Sequence, residues 1–222
     1  MRVSLAIYDE LFTIDTDMRA SDKKFIPVVA AVLLIFSAWA VGAPVLAQSG
    51  AQPAARTGSR TAAQARELDS LFIQLKQPID GDWRTVERKI LAIWSESGSA
   101  AMNLLLARGR KAIADKDYPA AIEHLSALID HAPDFAEGWN ARATAFFLMG
   151  QYGPAVRDIR QTLRLEPRHF GALAGLGMIL EEVDRPADAL KAYRAALAIH
   201  PWRPDVIEAI KRLRLKIGDT TL

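Results

Sequence analysis

Cysteine is missing altogether from the 222 residues. Its absence excludes a disulfide framework, a thiol nucleophile and thiolate metal sites, and leaves export open. Net charge is nearly missing as well, since 28 Lys and Arg stand against 26 Asp and Glu. A balance that close implies neither strong attraction to nucleic acid nor an acidic tail. The four histidines, His124, His131, His169 and His200, are scattered, and none pairs with another at a metal-ligand spacing such as i and i+4. The glycines of 171–177 resemble a phosphate loop but lack the preceding strand and the Lys-Ser/Thr ending. Asp80-Gly81-Asp82 resembles the start of a calcium loop, without its remaining ligands or closing Glu. Glu181-Glu182 has no acid–base partner in the sequence. The expectation is a chain with no catalytic constellation, no cofactor and no metal.

One long hydrophobic run is present. Phe25 to Val41 holds 17 apolar or small residues without a charge, behind Lys23 and Lys24 and ahead of Val45-Leu46-Ala47. A basic start, an apolar stretch and a small-x-Ala end read as a secretory signal peptide cleaved after Ala47. The run is also near the minimum for a membrane span, so residues 1–47 are read as a signal peptide or an uncleaved signal anchor. Asp9, Glu10, Asp15 and Asp17 do not suit a basic start, which points to Met18 as the initiator. Residues 48–61 carry no large apolar side chain. Such a segment buries too little surface to offset its ordering entropy, and is read as a flexible linker.

The rest of the chain is organised by a period of 34 residues. Pro133, Pro167 and Pro201 close three successive units. Ala121, Ala155 and Ala189 lie twelve residues before them, and Gly109, Ala143 and Gly177 twelve before those. The units are 102–135, 136–169 and 170–203, each a helix pair. Trp139-Ala143-Phe146 and Leu173-Leu176-Gly177-Leu180 mark first helices. Ala121-Leu125-Leu128, Ala155-Ile159-Thr162 and Ala189-Tyr193-Ala196 mark second ones. Asp117 with Pro119 and Asp184 with Pro186 are start signals. Asp134 with Glu137 resembles a capping box. The small residues are expected to face each other where the two helices cross, Gly109, Ala143 and Gly177 against Ala121, Ala155 and Ala189.

These residues resemble the tetratricopeptide repeat, whose signature runs over 34 positions as a large residue, Leu-Gly, an aromatic, Ala, Phe and Pro. Leu173-Leu176-Gly177-Leu180-Ala189-Tyr193-Pro201 matches it well, Trp139-Ala143-Phe146-Ala155-Ile159-Pro167 with substitutions, and unit one least. The resemblance implies an all-α, right-handed α-solenoid of stacked helix-turn-helix repeats. Arg108 and Arg142 depart from it at a usual Leu position. They read as snorkelling side chains or as a paired anion-binding feature.

The flanks extend the stack. Residues 62–101 read as a degenerate first repeat, with Ala65-Leu68-Phe72-Leu75 on one helix and Trp83-Val86-Ile90-Trp94 on the next. Residues 204–222 read as a capping helix, with Ile207, Ile210, Leu213 and Ile217 inward and Lys211, Arg212, Arg214 and Lys216 toward water.

The resemblance implies a concave groove lined by positions two, five, nine and twelve of each unit. These are Asn103, Leu106, Arg110 and Ile113; Glu137, Asn140, Thr144 and Phe147; and Gly171, Ala174, Met178 and Glu181. Apolar anchors between amides suit an extended peptide or an amphipathic helix. The expected function is a non-enzymatic exported scaffold binding a protein or peptide, in the bacterial periplasm. No nucleic-acid partner is expected, and membrane contact only through an uncleaved N-terminal segment. The alternatives are an inner-membrane-anchored accessory subunit of an envelope assembly or secretion machine, and an enzyme or small-ligand binder.

Overall fold

A computed structural model describes residues 61–78 and 81–218. The expected signal segment 1–47, and the expected linker up to residue 60, lie outside the described residues. Among the described residues the chain is entirely helical: α1 Ala62–Lys76, α2 Trp83–Trp94, α3 Ala100–Ala114, α4 Tyr118–His131, α5 Ala136–Leu148, α6 Tyr152–Leu165, α7 Phe170–Glu182, α8 Pro186–Ile199 and α9 Pro204–Ile217. The three expected repeats are the pairs α3–α4, α5–α6 and α7–α8. Each second helix also packs on the following first helix, α4 on α5, α6 on α7 and α8 on α9. That is the contact pattern of an α-solenoid.

The period is written into the backbone. Lys116, Gly150 and Asp184, spaced by the repeat length, all turn with positive φ (63°, 71° and 53°) after their first helices. The next residue's N–H then reaches back in each unit: Asp117 to Ala112, Gln151 to Phe146 and Arg185 to Leu180, at 2.8–2.9 Å. Only Gly150 takes this conformation without steric cost. Asp117 caps α4 by accepting from the Ala120 N–H at 3.2 Å. The other two start signals act differently. Asp184 is the turn residue and Arg185 the N-cap of α8. Phe135 is the N-cap of α5 without a side-chain bond, so the Asp134–Glu137 capping box does not form. Glu137 is drawn to Arg110 and His169 instead.

Ala121, Ala155 and Ala189 are fully buried at equivalent positions. The closest approach to the small residue of the first helix comes from a different side chain, four residues later. A Cβ on Gly109 would lie 2.5 Å from Leu125 Cγ, and one on Gly177 2.5 Å from Tyr193 Cε1. Gly177→Ala gains about 1 kcal/mol of helix propensity. It forces apart a buried ring whose hydroxyl is bonded to Glu181 at 2.7 Å. Overpacking of this kind costs about 1–3 kcal/mol and wins. We expect a fall of a few degrees in Tm by circular dichroism. Gly175→Ala, whose Cβ would meet Ile159 at an ordinary 3.8 Å, should leave Tm unchanged or raise it. Equal stability of the two variants would refute this packing account.

The N-terminal pair departs from expectation. Residues 62–97 do form a helix pair, opened by a Thr61–Gln64 capping box, so Thr61 belongs to the first helix and not to the linker. As a degenerate first repeat it would lean on unit one. Instead Leu68, Leu71, Phe72, Leu75, Ile90 and Trp94 share one core with Phe170, Leu173 and Val206 of units three and beyond. Unit one packs in a separate core around Leu106, Leu125 and Leu128. The pair lies along the turns between repeats, where Trp94 stacks on His169 at 4.3 Å and Trp83 meets the edge of His200 at 5.3 Å. Trp202 Nε1–H donates to the Leu75 carbonyl at 2.8 Å, and Arg168 donates to Asp69 at 2.6 Å while covering Phe72. One repeat length before Gly109 and Ala121 stand Leu75 and Glu87. With neither small, the pair has no close helix crossing in register and cannot join the stack as a repeat.

The last helix packs through Val206, Ala209 and Leu213, with Ile210 on the flank; Ile217, expected inside, is exposed. Arg212 and Lys216 on its basic side reach Glu181 and Asp184, tying the cap to the end of α7.

Candidate functional site

The first helices α5 and α7, together with α9, line a cavity of about 600 Å³. Seven expected groove residues meet there: Asn140, Thr144, Phe147, Gly171, Ala174, Met178 and Glu181. Phe147 is half-buried and tilts against Tyr152 at 6.0 Å. Met178 is 45% exposed and is the main apolar projection from α7. Gly171 and Gly175 keep the middle of the α7 face shallow. Thr144 Oγ1 bonds back to the Asn140 carbonyl at 3.1 Å. Sequence reasoning missed the third wall: Arg203, Asp205, Val206, Ala209 and Arg212 come from α9 and its approach. The signal was available, because α9 stands where the first helix of a fourth unit would stand.

The other five expected groove residues do not join this cavity. Leu106 is buried in the core of unit one, and Ile113 packs against that core. Asn103 is held by the α2–α3 connection, with its Oδ1 accepting from Ser97 and its Nδ2 donating to Glu96 at 2.7 Å. Arg110 donates to Ser95 Oγ at 3.0 Å and to Glu137 Oε1 at 2.6 Å. Glu137 is 6% exposed and also takes a 2.9 Å bond from His169 Nε2 and a 3.3 Å bond from Asn140. Burial pushes the Glu137 carboxyl up, but the hydrogen bond from His169 and the Arg110 guanidinium pull further, leaving it below the usual carboxylate range. The near end of the expected groove is therefore an internal polar cluster covered by the N-terminal pair.

His169 offers nothing to a substrate. Its Nδ1 accepts from the Ala172 N–H at 3.0 Å, which places the ring proton on Nε2, toward Glu137. Glu181, the other candidate for a hidden enzyme, accepts from Tyr193 and from Arg212. Arg142 forms a fork on Asp158 at 2.7 and 3.0 Å and reaches Ser126 Oγ at 3.0 Å. The paired anion site with Arg108 does not form, because Asp158 already occupies the guanidinium. Burial holds the Asp158 carboxyl above its ordinary range in spite of that fork.

His200 is the second buried histidine under the N-terminal pair. Glu87 of α2 faces it at 3.5 Å, Arg203 and Asp205 lie beyond its own helix, and Trp83 and Phe170 flank the ring. Burial, aided by Arg203, lowers its pKa from 6.5 to about 4. Between those values the unfolded chain binds the proton and the folded one does not, so stability falls as pH drops through the interval. We expect the urea midpoint to decline from pH 6.5 toward 4, and His200→Asn to flatten that decline. An unchanged slope in the variant would reject the assignment.

A tetratricopeptide repeat family model matches residues 106–153 and again 141–204. The chain is 41% identical over 154 residues to a TPR repeat-containing protein of Rhizobium etli, covering 69% of this chain and 76% of that one. The chain belongs to the tetratricopeptide-repeat family. A fungal relative, the small glutamine-rich tetratricopeptide repeat-containing protein 2 of Mycosarcoma maydis, is 33% identical over 107 residues. The match covers 48% of this chain and 30% of the relative. The first TPR of Spaghetti, solved with an HSP90 peptide (SRMEEVD), superposes with a TM-score of 0.52 at 19% identity, over 55% of this chain and 96% of that one. The Sgt2 TPR domain of Aspergillus fumigatus gives 0.52 at 21% identity, over 55% and 82%. These structures share the tetratricopeptide fold.

Proposed function

We propose that this tetratricopeptide protein is a non-enzymatic exported scaffold that holds a protein or peptide segment in the α5–α7–α9 cavity. The observation that carries this is the convergence of Phe147, Met178 and Asn140 on one cavity of about 600 Å³ while the near end of the groove is filled from within. An apolar side chain supplies most of the binding energy in such a pocket and an amide fixes backbone register. The HSP90 peptide bound by the first TPR of Spaghetti is not carried over. Arg110 is already bonded to Glu137, and Gly171 and Gly175 stand where further basic residues would be needed.

Phe147→Ala with Asn140→Ala tests the site. The double variant should remain folded by circular dichroism and lose the partners that the unaltered chain captures from an envelope fraction. An unchanged set of captured proteins would refute the cavity as the binding site. The 17-residue apolar run favours a second reading, an accessory subunit anchored by residues 25–41 in the inner membrane and facing the periplasm. Mass determination of the chain's N-terminus separates the two: a start at Gln48 supports the free periplasmic form.

A further inference from the structure

We infer that the segment held in this cavity is apolar on one side and basic on the other, and that acidic segments are rejected. The inference rests on the cavity being the partner site and concerns which chemistry it selects. The charged side chains on its walls are three carboxylates, Glu181, Glu182 and Asp205, and two guanidiniums, Arg203 and Arg212. Both guanidiniums are already matched. Arg203 donates through Nε and Nη2 to Asp205. Arg212 Nη2 donates to both oxygens of Glu181, at 2.9 and 2.7 Å. Glu182 belongs to neither pair. It is exposed and accepts one long bond, 3.4 Å, from the Tyr152 hydroxyl. The charge left over is negative.

The backbone is balanced. Helix α5 ends at Leu148 and α7 at Glu182, and the last turns of both line the cavity. The first turns of α7 and α9 line it as well, through Gly171, Ala172, Asp205 and Val206, so the helix ends offset one another and the unmatched Glu182 carboxylate is what favours an incoming cation. Apolar anchors stand beside them, with Leu148 and Met178 each 45% exposed. A segment that set a Leu or Met on this pair would bring its neighbouring side chains within a Debye length of Glu182. Lysine or arginine there gains, and aspartate or glutamate meets a like charge.

Two labelled peptides test this, with the same Leu/Ala apolar face and either Lys or Glu on the polar face, each titrated into the full chain. At about 0.02 M salt the Lys peptide should bind about three- to fivefold more tightly, with the ratio approaching one near about 0.5 M. Glu182→Lys should abolish or invert the ratio at unchanged Tm, and Phe147→Ala should weaken both peptides. Equal or tighter binding of the Glu peptide, still sensitive to Phe147→Ala, overturns the charge selectivity and leaves the cavity standing as the partner site. A ratio unmoved by Glu182→Lys also overturns it. Absence of binding by both peptides, or binding indifferent to Phe147→Ala, overturns the site and the selectivity together.

Discussion

Trp94→Ala is expected to release the N-terminal helix pair from the repeats, at a cost of about 3–5 kcal/mol. The indole is 3% exposed. It lies between the three surfaces that must meet, stacked on His169 at 4.3 Å and tilted against Phe170 at 5.0 Å and Phe72 at 6.0 Å. Alanine would leave a cavity at that junction. The remaining polar ties, Trp202 to Leu75 and Arg168 to Asp69, are partly solvated, and the apolar contacts of Leu68, Leu75 and Ile90 would then border a void. Hydrogen exchange reads the outcome directly. Amides of α1 and α2 should exchange much faster, whereas those of α7 and α8 should stay protected, because stability in a repeat array is local. Trp94→Phe provides the contrast. The indole N–H has no hydrogen-bond partner among the described residues, so a benzyl ring keeps the apolar contact and removes a buried unsatisfied donor. It should cost much less. Unchanged protection of α1 and α2 in Trp94→Ala would show that the pair is held in some other way.

Glu137→Ala is expected to cost about 3 kcal/mol at neutral pH. The carboxylate accepts from Arg110, His169 and Asn140. Removing it strands the His169 Nε2–H, which is buried. Arg110 is 44% exposed and can rehydrate, which keeps the loss at the lower end for a broken buried pair. For a domain of this size the shift in Tm is about 5–10 °C. Glu137→Gln keeps an oxygen in place and should cost less. The pH dependence has a definite sign. Because the folded pKa is lowered, the contribution is complete above the ordinary glutamate value and is lost as pH falls through the folded one. The gap between the native chain and Glu137→Ala should therefore close in acid. A gap that stayed constant down to the acid transition would mean that charge plays no part in the cluster.

The two predictions concern residues that a periodic reading treats differently. Glu137 falls at a groove position and reads as a ligand contact. It became an internal residue because the neighbouring unit supplies a cation at Arg110 and the following turn supplies His169. Those partners offset the desolvation of the buried carboxylate, whose pKa stays below the ordinary value. Trp94 reads as a core residue of a degenerate repeat. It is a core residue, but of an interface with helices seventy-five residues away.

The 34-residue spacing of proline, alanine and glycine by itself determined the all-helical fold and its stacking of one helix pair on the next. Those properties depend on contacts within a unit or between adjacent units, which repeat in space because they repeat in the chain. Where the first helix pair docks, and which half of the groove stays open, was decided only by the tertiary structure. Both depend on aromatic and charged side chains at 94, 137, 169 and 200. Their types do not recur at the repeat interval, and they are placed only by the fold.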